Sequence, residues 1–222
     1  MVIAPALAFY PGSEGAPLVR KIVVTALVLA WGGRLTWNWA RGWHGFSHED
    51  FRYVDLRKSM GRAYWLVSFL GLHFMPTLSV FLGCLALFPA LVSGQRGITA
   101  LDAVASIITA SAITLEARAD TELRAFRLTN PAPGSILKTG VWAYCRHPNY
   151  LGEIGFWWGI FLFGLSAAPS DWHIVAGPLW ITSLFVFVSI PLMDKRSLSR
   201  RPAYAEHIAR VPALVPRRPR AS

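Results

Sequence analysis

What most constrains this chain is a series of apolar runs separated by short segments that carry most of its charge. A helix needs about 20 mostly apolar residues to cross the hydrocarbon core of a bilayer. Ile22–Trp39, Trp65–Val92, Ile98–Leu115 and Ile174–Met193 read as such spans, and Ile154–Leu165 forms a hairpin with the last through the short Ala167–Trp172 turn. Composition agrees: 54% of the 222 residues are hydrophobic, only 15% are charged, and ten are tryptophan. A soluble fold would need a large oligomeric interface to hide that much apolar surface, and lipid is the easier solvent. The expected fold is all-α, a polytopic integral membrane bundle of five to six transmembrane helices. The sixth is an N-terminal stub, read as the tail of a membrane segment because Pro11-Gly12 interrupts it and no basic leader precedes it. A single transmembrane domain over 1–222 is expected, with the stub at 1–21 and a basic tail at 195–222.

Charge gives the orientation. The segment 41–62 carries Arg41, Arg52, Arg57, Lys58 and Arg62, and the segment 118–146 carries Arg118, Arg124, Arg127, Lys138 and Arg146. The tail from Lys195 holds eight basic residues, whereas the opposite loops hold Arg96 and none. Retention of Lys and Arg on the cytoplasmic side predicts that all three basic stretches and the C-terminus face the cytoplasm. Arg20-Lys21 is an exception that this topology puts outside, and Arg34, near one end of its span, is expected to snorkel towards headgroups. The net charge of +10 thus follows from topology, and nucleic acid is not an expected partner. The expected partners are the bilayer and a lipophilic small molecule. Cys84 and Cys145 lie in an apolar run and a basic loop, without a CxxC or metal-like spacing, so neither a disulfide nor a zinc site is expected.

The densest group of chemistry-bearing residues is Trp142, Tyr144, Arg146, His147, Pro148, Asn149, Tyr150, Gly152 and Glu153, at the start of a span. Pro148 keeps His147 extended and suits the first turn of a helix. Arg146 and His147 therefore flank a helix N-terminus, whose unpaired N–H groups and dipole attract anions. An interfacial anchor of Arg, His, Tyr and Trp is the plain alternative, but an anchor needs neither Asn149 nor Glu153. Upstream, Glu116, Asp120, Arg124 and Arg127 share one helix face by their spacing of four, four and three. They are either surface ion pairs, each worth about 0.3–0.5 kcal/mol, or forked phosphate donors with an acidic partner.

The loop 41–57 contains His44 and His48 four residues apart, short of a third metal ligand. A cap in which Arg52, Tyr53 and Arg57 close a ligand cavity is the stronger expectation. The tail, with Asp194-Lys195-Arg196 and Tyr204, reads as an amphipathic juxtamembrane helix. Arg217, Arg218 and Arg220 carry no expectation beyond attraction to anionic lipid.

The runs "DTELRAFR", "GVWAYCRHPNYLGEIGFWWGIFL", "RRPAYAEHIARVPALVP" and "RGWHGFSHEDFRYVDLR" resemble the steroid 5-alpha-reductase-like membrane proteins, in particular a bacterial branch once described only as a domain of unknown function. The resemblance extends from about Trp31 to Pro216. It places the chain in a superfamily that also holds sterol reductases and the isoprenylcysteine and phospholipid methyltransferases. It implies a cytoplasm-facing cofactor pocket built by the C-terminal helices. Asp120, Arg124 and Arg127, followed by Asn149, Gly152 and Glu153, match the pattern that holds NADPH in the reductases. The paired Glu of the methyltransferases is replaced here by Asp194-Lys195-Arg196, and an arginine cluster suits a polyanionic dinucleotide better than cationic S-adenosylmethionine.

The resemblance therefore implies an NADPH-dependent reduction of an activated C=C bond in a steroid-like or other lipid. Methyl transfer from S-adenosylmethionine and a non-catalytic lipid-binding role are the alternatives. With the resemblance, the expected cofactor-binding set is Arg52, Arg57, Asp120, Arg124, Arg127, Trp142, Tyr144, Arg146, His147, Asn149, Tyr150, Gly152, Glu153, Arg196 and Tyr204. The family's early catalytic Glu has no counterpart in this chain, and Trp31 stands near the expected catalytic Tyr. Glu49 and Tyr53 are the substitute candidates for polarising a carbonyl or donating a proton.

Overall fold

The computed structural model describes residues 2–43, 45 and 49–218; the expected His44/His48 pair and Arg220 lie outside them. All regular structure among the described residues is helical. In chain order the helices are α1 (Ile3–Ala8), α2 (Leu18–Arg41), α3 (Phe51–Met60), α4 (Tyr64–Ser68), α5 (Met75–Cys84), α6 (Ala100–Leu128), α7 (Pro148–Ala167), α8 (Ala176–Leu184), α9 (Ile190–Arg200) and α10 (Tyr204–Arg210). Several run together into longer rods. Four helical stretches are long and apolar enough to cross a membrane: Arg52–Ser93, Ala100–Leu128, Pro148–Ala167 and Pro169–Arg200. The protein is an integral membrane protein. Helix α2, at 24 residues, is long enough as well, but Arg20, Lys21, Arg34 and Arg41 make it less apolar than the four. The expected sixth segment is the six-residue α1, which lies beside α2.

Each rod is longer than its apolar run. Helix α7 starts at Pro148, as the proline suggests, a turn and a half before its apolar run begins at Ile154. The Arg52–Ser93 and Pro169–Arg200 rods are broken by π-helical turns at Phe69–Phe74 and Phe185–Ser189. Each turn lies immediately before a short α segment with proline at its second position, Pro76 and Pro191. Proline has no N–H to give and its ring crowds the carbonyl four residues back, so the helix widens locally.

The central helix is α7, 61% of whose apolar window is covered by protein, against 28–39% for the other three. Phe156, Trp157, Ile160 and Phe163 fill the core with Val24, Val28, Leu87, Leu91 and Ala105. Large apolar residues such as Trp65, Phe81, Ile107 and Phe187 point outward, the expected arrangement for a surface solvated by acyl chains.

The closest helix pair is α6 with α7. A Cβ on Gly152 would come within 2.7 Å of Glu116 Cβ and 2.9 Å of the Ala112 carbonyl, one on Gly155 within 3.1 Å of Ala112 Cβ, and one on Gly159 would collide with Thr109. Small residues at these spacings let two backbones approach where lipid gives no hydrophobic drive for association. Thr109 does not cross between helices; its hydroxyl donates to the Ala105 carbonyl at 2.7 Å.

At the opposite end of the bundle, Arg20 resolves the exception in the charge pattern. Its side chain is fully buried and donates from Nε and Nη2 to the two oxygens of Asp102, at 2.6 and 3.1 Å. Its remaining donors reach the Arg96 and Gly97 carbonyls. Asp102 also closes a capping box with Thr99 at the start of α6 and accepts from Ser166 at 2.6 Å. Lys21 donates to the Ser13 hydroxyl. Arg20 is thus a neutralised interior residue, tying α2, α6 and the end of α7.

Breaking this pair strands a charge in the interior. Arg20→Met is expected to destabilise the protein by about 3–5 kcal/mol, and the Arg20→Met/Asp102→Leu double variant to recover a large part of that loss. Thermal unfolding in detergent checks both values.

Candidate functional site

The helices α2, α6 and α9 end, and α7 begins, at one end of the bundle, and the polar residues singled out in the sequence collect there. His147 precedes α7 with φ −132° and ψ 59°, which is outside the helical region but short of the extended conformation expected before Pro148, and its side chain does not cap the helix. Arg146 and His147 are instead held by Asp194 on α9. Arg146 Nη2 donates to Oδ2 at 2.8 Å, His147 Nε2 lies 3.0 Å from Oδ1, and the Tyr204 hydroxyl donates to Oδ1 at 3.2 Å.

Arg146 Nη1 donates to the Ile208 and Val211 carbonyls. The segment after α10 runs alongside 144–147: the Arg146 and His147 amides donate to the Pro212 and Ala213 carbonyls, and the Arg217 amide to that of Tyr144. Cys145 Sγ sits 3.1 Å from the Ala213 and Leu214 carbonyls. The His147 ring stacks on Tyr150 at 5.1 Å, and Tyr150 leans on Phe185. Arg146 and His147 are therefore engaged by protein partners, with only Arg146 Nε left buried and unpaired among the described residues.

A second network joins α2, α6 and α7. Arg34 does not snorkel: it turns inward, pairs with Glu116 at 2.6 Å and donates to Asp120. The two carboxylates outweigh the headgroups because an arginine inside the bundle is cheapest when paired. Asn38 donates to Asp120 and Arg41 to Asn38, while Arg124 Nη1 donates to the Arg41 carbonyl at 3.3 Å. On α7, Glu153 accepts from the indoles of Trp157 at 2.9 Å and Trp31 at 3.0 Å. Gly152 packs against Glu116 and Ala112 between the helices.

The other expected residues are spread around these networks. Trp142 donates to the Ala119 carbonyl, Tyr144 is exposed, and Arg127 is exposed without a polar partner among the described residues. Asn149 is half-buried and its side chain has no hydrogen-bond partner among them. On the α3 side, Arg52 pairs with Asp50 and Arg57 with Glu49, both exposed, and Arg57 also lies over the Tyr64 ring. Tyr53 leans on His73. Arg196 reaches across to Asp55 and joins α9 to α3.

Sequence reasoning placed Glu116 on the face of Asp120 and Arg124 but left it out of the expected site, gave Arg34 and Asp194 other roles, and missed Asn38. Asp194 had a signal: it is the one acid between Asp171 and Glu206. Among the described residues no three His, Cys, Asp or Glu side chains could hold a metal ion.

A small apolar cleft of about 50 Å³ lies between α1, α2, α5 and α7, walled by Val28, Trp31, Val80, Cys84, Phe156 and Trp157 among others. Trp31 stacks on Phe156 at 4.5 Å and meets Trp157 edge-on. The two indoles that bind Glu153 are thus also walls of the cleft.

Burial shapes the acid–base behaviour beyond the spans. It pushes the Tyr204 hydroxyl up to about 12, with the Asp194 charge adding to the effect. It lowers His207, helped by the positive charge of Lys138 and Arg146. Burial likewise pushes the Cys145 thiol up to about 11 from 9.0. A raised thiol value keeps the neutral form, so at pH 8 the thiolate fraction falls about a hundredfold, and the thiolate is the nucleophile. In a Cys84→Ala background, iodoacetamide is expected to alkylate folded Cys145 about a hundredfold more slowly than the urea-unfolded chain. Removal of residues 211–222 is expected to restore most of the rate, because it uncovers the thiol.

The sequence profile of a protein family of unknown function, DUF1295, matches residues 1–211. The chain is similar to an uncharacterized protein, C594.04c, of Schizosaccharomyces pombe, with 27% identity over 222 aligned residues that cover 89% of this chain and 64% of that protein. The chain therefore spans somewhat less than two thirds of that relative's length. No solved structure matches it.

Proposed function

The chain belongs to the DUF1295 family, and from its likeness to the steroid 5-alpha-reductase-like proteins we propose that it is a membrane-embedded, NADPH-dependent reductase of an activated C=C bond in a steroid-like or other lipid. The observation that carries this reading is the convergence of a polar end with an apolar cleft. Arg124, Arg127, Asn149 and the start of α7 lie at the same end of the bundle, and Glu153 connects that end to the cleft through Trp31 and Trp157.

The residues present fit a dinucleotide. Arg124 makes one long hydrogen bond to a carbonyl, Arg127 is exposed, and the Asn149 amide is unpaired among the described residues. The first N–H groups of the 20-residue α7 have no side-chain cap and add anion-binding capacity. These groups would hold phosphates and an amide. Arg146, His147 and Tyr204 would act one step back, by fixing the α7 N-terminus through Asp194. Arg52, Arg57 and Arg196, each tied to an acid of residues 49–55, would close the end through α3. Glu49 and Tyr53, on that exposed cap, are poorly sited to serve an acid role at the cleft. In this reading the polar end and C-terminus face the cytoplasm, where the cofactor is available.

The test is ligand binding by the purified protein in detergent. NADPH is expected to bind, with affinity reduced at least tenfold by Asn149→Ala and by Arg124→Ala/Arg127→Ala, and S-adenosylmethionine is expected not to bind. Binding of S-adenosylmethionine alone would move the function to methyl transfer. Binding of neither would overturn the enzymatic reading in favour of a lipid-binding membrane protein.

A further inference from the structure

Glu116 and Glu153 sit where neither ion pairing nor helix packing accounts for both. Glu116 lies one turn deeper than Asp120 on α6, with a side chain only 7% exposed. Its Oε1 meets Arg34, and its Oε2 is buried with no hydrogen-bond partner among the described residues. Glu153 faces it from α7. Both oxygens of Glu153 accept from neutral indoles, and among the described residues no guanidinium lies within ion-pair distance of it. Six buried side-chain nitrogens and oxygens lack hydrogen-bond partners among the described residues, and four belong to this neighbourhood: Arg34 Nε, Arg41 Nε, Glu116 Oε2 and Arg34 Nη2. The last meets Glu116 as an ion pair without directed hydrogen-bond geometry. Buried polar groups are ordinarily satisfied, so such a cluster marks a place where something exchangeable binds.

Charge balance identifies that species. Arg34 pairs with Glu116 and Asp120, and Arg41 adds positive charge beside Asp120, so of the three carboxyls Glu153 alone lacks a cation. The other cations nearby do not bridge the deeper pair: Arg41 contacts Asn38 and the Trp37 ring, and Arg124 contacts the Arg41 carbonyl. Within the bundle an unpaired charge is costly, and a proton supplies the missing positive charge. The three carboxyls are also ordered in depth. Asp120, 26% exposed, touches solvent at the polar end, Glu116 lies a turn inward, and Glu153 reaches the indoles that wall the apolar cleft.

We propose that Glu116 and Glu153 are an acid–base pair that holds one exchangeable proton inside the membrane, and that this is the proton a lipophilic substrate takes up on reduction. Use of the proton rests on the reductase reading; its presence in the pair does not. NADPH, when bound, supplies a hydride to the β-carbon of an enone, and the electron pair of the former double bond becomes an enolate. The Glu153 O–H bond breaks and its proton forms the new C–H bond at the α-carbon. Glu153 is then reprotonated by Glu116, and Glu116 from solvent through Asp120. One C=C bond, one NADPH and one proton give one CH–CH unit and NADP+.

The test is infrared spectroscopy of the full chain in phospholipid vesicles at pH 7, in H2O and in D2O. A carboxylic-acid C=O band that shifts on deuterium exchange is expected in the unaltered protein, and it is expected to be lost in Glu116→Gln and in Glu153→Gln. Labelling with 13C-carboxyl glutamate supplies a second measurement without any substitution and is expected to move the same band. Absence of the band, its persistence in both variants, or its failure to respond to glutamate labelling would overturn the proposal. None of these readouts involves NADPH. A chain that shows the band but binds no NADPH would thus refute the reductase and leave the proton pair standing, and the reverse outcome would do the opposite.

Discussion

The close approach of α6 and α7 is the constraint on which the rest depends. In lipid the two helices gain nothing from hiding apolar side chains from water, so their association rests on dispersion contacts between backbones that only small residues allow. Gly152, Gly155 and Gly159 supply that closeness against Thr109, Ala112 and Glu116. A side chain at Gly152 or Gly159 would push the helices apart and separate Glu116 from Glu153. The glycine that the family resemblance lends to a cofactor pocket thus serves first as a spacer of zero thickness, which puts two acids face to face.

Helix α7 then divides its first turns between two systems. Residues before Pro148 are pinned by Asp194 and by the backbone of 212–213, while Gly152 and Glu153 belong to the α2–α6 network. Asn149 lies between them, half-buried and unpaired among the described residues. Rigid support on both sides of one short polar stretch is what a precise binding end requires. The two networks draw on α2, α6, α7, α9 and α10, so that end is assembled from residues spread over most of the chain.

Much of this was legible in the sequence because it is local. Apolar periodicity and length gave the helices, and the positions of the basic residues gave a single polar end. Spacing put Asp120 and Arg124 on one face. What escaped were pairings across long separations. An arginine inside an apolar helix can reach headgroups or a buried acid, and nothing near Arg34 distinguishes the two; its partners are about 82–86 residues away. Asp194 looked like part of a charged tail because Arg146 and His147, its partners, lie 48 and 47 residues upstream. The start of α7 at Pro148 was legible from the proline and not from hydropathy, which marks only the apolar part of a helix.

The Arg20–Asp102 pair carries a consequence for biosynthesis. Helix α2 is made first, and the acid that neutralises Arg20 is synthesised 82 residues later. While the ribosome is still working, α2 bears an uncompensated guanidinium at one end of a segment that is meant to live in hydrocarbon. Arg20 can therefore be neutralised only once the start of α6 has been made, so the final packing of α2 waits on a segment that is not its neighbour in the chain.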